Sequence, residues 1–442
     1  MLATGIARKN LMIPLVLFFM ALGSSYAQDW PQYLGPDRDG KSPQKNILRT
    51  WPSTGPEVLW TAPVGIGFGG PVVKDGKVYL LDRDDKVGDN LRCFDLSTGK
   101  ELWNFSYSAP GSVMFPGSRS VPTVDNTRVY TCGPYGDLYS VDVKTHKPAW
   151  KKNVWKDFGG EEVPQWAIAQ CPLIYGDMLI VASQAPQAGV VAYDKLTGDL
   201  RWKTPSLGGV GYVSPSIVKI DGKDQIVMIS ASERGEGGMG KIVGIAPSSG
   251  EVLWTYDKWN CHIPVPSAVD AGENRILVVG GYELGATMIK VNKKADGTYG
   301  ANELFTTVEF GDQTKTPILH NGYFYAQYGT NNRRDGLVCM DMKGNITWKT
   351  KRSPDFNKGS MILADGLLLA TDGAKTLYLI EPNPARYNQI ASAEMLKEGT
   401  PSGNANSSRV GGATQNWAPI ALADGKLLIR DQSQLICVKV AK

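Results

Sequence analysis

The chain has 442 residues, 42% of them hydrophobic and 20% charged, the balance of an ordinary folded protein and not of a disordered one. Lys and Arg outnumber Asp and Glu by 47 to 43, a formal charge of +4. That is too little for the dense basic face of a nucleic-acid binder, and no nucleic-acid partner is expected.

The composition also limits the secondary structure. Fifty Gly, 27 Pro and 12 Trp break up long helices and point to many short strands joined by turns. The first segment, 1–27, reads as a signal peptide. Arg8 and Lys9 precede an apolar stretch from Leu11 to Leu22, and the small residues Ser25 and Ala27 suit cleavage. The stretch is too short to span a bilayer comfortably. No Cys occurs before Cys93, so no lipid anchor is expected, and no later segment reaches about 18 apolar residues, so no transmembrane segment is expected. The mature protein is expected to start near Gln28 and to be periplasmic or secreted, as a monomer. Residues 28–55 read as an extended N-terminal segment, and 56–442 as one domain.

From Pro71 a unit emerges. Pro71 opens a strand, and Asp75-Gly76 makes a hairpin turn. A third strand ends at Asp95, whose carboxylate can accept turn N–H groups. Gly99 supplies a left-handed conformation, and a fourth strand carries Trp103, a plate suited to packing between sheets. Further units begin at Pro122, Pro172, Pro215, Pro266, Pro317, near Ser360, and at Pro419, spaced 43 to 59 residues apart. Phe305 takes the Trp position in the fifth, and the seventh has lost it.

That period suits one four-stranded antiparallel sheet per repeat, hence an all-β, eight-bladed β-propeller. The last unit stops after three strands. Pro56 to Trp60 has no unit of its own, so the N-terminal strand is expected to complete the last blade and close the ring. Three of the six cysteines, Cys93, Cys339 and Cys437, occupy one repeat position and read as buried packing residues rather than bridges.

The Asp-x-x-Thr-Gly-x-x-x-Trp pattern of Asp95 to Trp103, with a close form from Asp194 to Trp202, resembles the quinoprotein-type (PQQ-like) eight-bladed propellers. The opening Asp29-Trp30-Pro31-Gln32-Tyr33-Leu34-Gly35-Pro36 is similar to the start of exported bacterial proteins of this type. The resemblance implies one of two activities. One branch, the quinone-dependent dehydrogenases, would bind PQQ with calcium and oxidise an alcohol or sugar. Its markers include a vicinal Cys–Cys pair, which this chain lacks. The other branch is a non-catalytic scaffold, as in the propeller subunit of the outer-membrane barrel assembly machinery. The expected function is an exported binding or scaffold propeller for an envelope protein or a carbohydrate. A quinoprotein oxidoreductase is the alternative.

In a propeller, the loops entering the innermost strands crowd one mouth of the channel. By register these loops offer Phe68, Arg119, Trp166, Gln170, Tyr212, His262, Lys315, Lys358, Asn416 and Trp417. Aromatic faces stack on rings, and Arg119, Lys315 and Lys358 suit a carboxylate or other anion. A lyase or hydrolase would instead need His262, Arg119 and Tyr212 to converge. The three histidines show no metal-ligand spacing, no catalytic or metal residue is assigned, and Asp82, Asp84, Asp85 and Asp89 read as a solvated hairpin tip.

Overall fold

A computed structural model describes Met1 and residues 28–232, 240–329, 333–397 and 415–442. The signal segment 2–27, most of Gly235–Gly240 and most of the Ser/Gly/Asn-rich stretch after Lys397 lie outside the described residues.

Among the described residues there are eight sheets of four antiparallel strands, seven of them built from consecutive strands, and one of those seven carries a fifth, parallel strand. The first sheet is typical, running Val72–Lys74, Lys77–Asp84, Gly88–Asp95 and Glu101–Ser108. The Asp-Gly turns form as expected: Asp75 and Gly76, Asp221 and Gly222, Asp365 and Gly366, and Asp424 and Gly425 all have positive φ, as a tight type I′ hairpin requires. Asp95 accepts the Ser97 and Thr98 N–H groups at 3.0 and 2.8 Å, and Asp194 does the same for Leu196 and Thr197.

The ring closes through the N-terminal strand. Val58–Pro63 pairs antiparallel with Gln434–Lys439, placing Val58 opposite Val438 and Trp60 opposite Cys437. The repeated Trp then explains itself. Trp60, Trp150 and Trp202 of three outer strands reach the turn of the next blade, where a Gly leaves room for the indole. Trp60 Nε1 donates to the Leu96 carbonyl at 2.9 Å, and its ring lies against Gly99. Trp150 meets Gly198 and the Lys195 carbonyl, and Trp202 meets Gly250 and the Pro247 carbonyl. Phe305 covers Gly344 in the same way. The second blade has His146 where others have this Gly, and its ring stacks on Trp103 at 4.6 Å.

Hydroxyls tie the innermost strands together around the axis. Thr123 Oγ1 donates to the Pro172 carbonyl at 2.6 Å, Ser214 Oγ accepts from Cys171 N at 2.8 Å, and Ser267 Oγ donates to the Ser214 carbonyl at 2.8 Å. All six cysteines are buried and free.

Two features depart from expectation. The Asp82–Asp89 region is a solvated tip only from Asp84 to Val87: Asp82 and Asp89 are buried, Asp89 pairs with the buried Arg83 at 3.0 Å, and Asp82 pairs with Arg92 at 3.3 Å. Arg83 and Arg92 engage Asp85, Asp89 and Asp82, so three of the four carboxylates already have cationic partners. The second departure is the N-terminal segment, which runs along the inner edges of several blades. Trp30 exchanges two backbone hydrogen bonds with Val73 of the first blade, Pro31 O accepts from Val124 N of the second, and Arg38 donates to the Pro172 carbonyl of the third. Lys41–Ser42 pairs parallel with Leu363 and Ala364 of the seventh. The segment therefore plugs the channel. Gly35 is required there: at φ 83° it sits under the Trp30 indole, and a Cβ would lie 2.7 Å from Cη2.

Candidate functional site

The plug turns the channel into a blind pocket of about 360 Å³, a volume suited to a small molecule. Its floor includes Tyr33 of the plug, with Cys171 and Ser214. Its rim is built by the loops entering the blades. On one side Phe68 stacks on Trp417 at 5.5 Å, and Phe115 meets Phe68 edge-on at 6.3 Å. Across the ring Trp166 meets Tyr212 edge-on at 5.7 Å.

Three cations share this pocket, and none has a carboxylate within ion-pair distance among the described residues. Lys358 is buried, with Nζ 4.7 Å from the centre of the Trp417 ring. Burial holds its ammonium below the ordinary lysine range, with Arg334 repelling it further. Arg119 donates to the carbonyls of Met114, Phe115 and Gly117, which fixes its own loop, and burial lowers it to about 10. Lys315 donates only to Thr314 Oγ1, at 3.3 Å. Burial lowers it to about 8, Lys358 adds to that, and Asp312 opposes it.

Asp312 lies beneath and sets this loop. Its carboxylate accepts N–H groups from Thr314 at 2.9 Å, Lys315 at 2.8 Å and Gln327 at 3.2 Å. Burial nevertheless raises it to about 6.

The structure brings together seven of the ten expected residues: Phe68, Arg119, Trp166, Tyr212, Lys315, Lys358 and Trp417. The other three sit elsewhere. Gln170 turns inward, buried, and donates to Cys132 Sγ at 3.4 Å. Asn416 is buried and ties the Ala374 and Lys397 carbonyls. His262 lines an adjoining cavity that shares Trp166 and Tyr212 with the main pocket, and its Nδ1 lies 2.8 Å from Ser232 Oγ. His262, Arg119 and Tyr212 thus do not line one common pocket. Sequence reasoning missed Tyr33, Phe115, Tyr282 and Asp312. Asp312-Gln313-Thr314 carried a readable signal, since an Asp followed two residues later by Thr forms a side-chain-bonded turn.

The donor set does not fit calcium. That ion wants six to eight oxygen ligands, several of them carboxylates. No Asp or Glu lines the pocket, and no cluster of three His, Cys, Asp or Glu suits a metal among the described residues. The cations there would repel a divalent ion.

Comparisons with known proteins agree with this architecture. Pseudomonas putida quinoprotein alcohol dehydrogenase PedH is 28% identical over 322 residues, covering 64% of this chain and 49% of that protein. Outer membrane protein assembly factor BamB of Moranella endobia is 23% identical over 323 residues, covering 70% of this chain and 76% of that one. The chain thus spans about half the length of PedH, and a match to the Pseudomonas aeruginosa quinoprotein ethanol dehydrogenase covers 33% of that enzyme. Among solved structures, Moraxella catarrhalis BamB superposes with a TM-score of 0.57 at 10% identity, over 87% of this chain and 99% of that one. A europium-containing methanol dehydrogenase gives 0.63 at 13%, over 93% and 89%. These two likenesses concern the fold alone. No helix among the described residues is long and apolar enough to cross a membrane. A family profile described as outer membrane protein assembly factor BamB matches residues 45–162 and 87–294, more than half of the chain. The chain belongs to that family of PQQ-like repeat propellers.

Proposed function

We propose that this protein is an exported, non-catalytic binding propeller of the cell envelope, monomeric, whose channel mouth takes a small anionic ligand with ring faces, such as an acidic sugar. The observation that carries the reading is the pocket itself. It is closed below by Tyr33, flanked by aromatic walls, and holds three cations with no carboxylate partner. An anion there would replace lost hydration with charge-assisted bonds, and the walls would stack on its rings. A protein partner, which the BamB relatives favour, would be met by the same rim.

The test is an acidic-glycan array probed with wild type and with Arg119→Ala plus Lys315→Ala. Removing two charge-assisted contacts is expected to weaken binding by more than about a hundredfold. Equal binding by both proteins, or none by either, counts against the reading.

The relation to PedH favours a second reading, a quinone-dependent oxidoreductase. The aromatic walls and cations suit a planar acidic quinone, but the pocket lacks the oxygen set for calcium. Saturable binding of PQQ with calcium, accompanied by dye-linked alcohol or sugar oxidation, would replace the first reading.

A further inference from the structure

The two lysines of the pocket are held differently, and that difference has chemical content. Lys358 rests against the Trp417 ring, an electrostatic attraction that favours the protonated ammonium. Among the described residues the Lys315 ammonium has no aromatic face beneath it and no carboxylate within ion-pair distance, and it donates to the Thr314 hydroxyl. The Lys315 backbone N–H is pinned by Asp312, which fixes the point from which the side chain enters the pocket. An amine partly withdrawn from water and sharing a pocket with another cation is the arrangement that makes lysine a nucleophile.

We propose that Lys315 captures a carbonyl ligand as an imine, with Lys358 holding that ligand's acid group. The ligand class is an aldehyde or ketone that also carries a carboxylate, which includes 2-oxo acids and open-chain uronic acids. The neutral amine adds its lone pair to the carbonyl carbon to form a carbinolamine. Loss of one water gives the imine. The one proton given to solvent is the one the ammonium sheds before the attack, the two remaining N–H protons leave in the water, no electrons are exchanged, and hydrolysis reverses the step. The lowered protonation range of Lys315 leaves a larger neutral fraction near neutral pH than an exposed lysine has. The inference rests on the anion-binding reading above and goes beyond it by adding a reversible covalent bond.

The experiment uses the full chain with glyoxylate as probe, cyanoborohydride to reduce any imine, and peptide mass spectrometry to map the adduct over time. Lys315 is expected to be labelled about tenfold faster than any other lysine. Lys358→Met is expected to slow glyoxylate labelling of Lys315 about tenfold, with little effect on labelling by acetaldehyde, which has no acid to hold. Lys315→Arg is expected to lose the fast adduct while keeping a wild-type thermal melt. If that variant misfolds, the wild-type map and the Lys358→Met comparison still decide. Labelling spread evenly over exposed lysines overturns the proposal, as does glyoxylate labelling indifferent to Lys358→Met. Failure on the glycan array with selective Lys315 labelling removes the sugar and keeps the imine. Array binding with Lys315 unlabelled removes the imine and keeps the binding site.

Discussion

Replacing Trp60 by Ala tests how the ring is held shut. Trp60 is buried, lies on the strand that joins the last blade, and spans to the first blade through its bond to the Leu96 carbonyl. Truncating a buried Trp costs roughly 3–5 kcal/mol, and the Leu96 carbonyl, itself buried, loses its partner. We expect a loss of about 4 kcal/mol in urea unfolding followed by circular dichroism. Leu102→Ala, at a side chain 45% exposed on an outer strand, serves as control and should stay within about 0.5 kcal/mol of wild type. Gly99→Ala approaches the same contact from the other side. Gly99 has φ 70°, and a Cβ would lie 2.5 Å from Trp60 Cδ2. In wild type it should cost about 3 kcal/mol, but with Trp60 already removed only the backbone strain of about 1 kcal/mol remains. Additive effects of the two substitutions, or a Trp60→Ala loss no larger than that of Leu102→Ala, would refute the interlock.

Other outcomes follow from the pocket and its plug. Lys315→Met should raise stability at pH 7 by about 2 kcal/mol, less than the full shift implies because the ammonium keeps some contact with water. The folded value, about 8, lies below the unfolded one, so the burial penalty is complete below pH 8 and fades as pH rises toward the ordinary lysine range. The variant's advantage should therefore vanish in alkaline thermal melts, and a constant advantage across pH would contradict the assignment. Trp30→Ala empties the seat under which Gly35 lies and should cost about 3–5 kcal/mol by urea unfolding, whereas a plug that merely rests in the channel would cost almost nothing.

The fold was legible because its signals are local and repeated. Asp-Gly at four of the hairpins, the Asp-x-x-Thr-Gly turn and the Trp after it each report a backbone constraint within a few residues, and their recurrence makes the period visible. Even the closing strand could be inferred, since Val58 to Trp60 had no other unit to join. The plug carried no such signal. Trp30, Tyr33 and Lys41 lie in no repeat, and their partners Val73, Cys171 and Leu363 are far away along the chain. The mouth was partly legible because register names the loops but not the direction of each side chain. Thus Lys315 and Trp417 face the cavity, while Gln170 and Asn416, equally polar and in equivalent loops, turn away to bond neighbouring groups. Tyr282 was invisible to that logic because it comes from a hairpin within a blade, between Arg275–Gly280 and Gly285–Lys293.

The axial strap has a consequence for assembly. Residues near Trp30 are among the earliest made, yet their seat is shared by blades one, two, three and seven, so they must wait, unhoused, until nearly the whole circle exists. Stability in this molecule is then not a sum over neighbours, as in an open stack of repeats. A shortened polypeptide ending before the seventh blade would leave the strap without its Leu363 and Ala364 rail, and the circle would lack both its clasp and its hub at once.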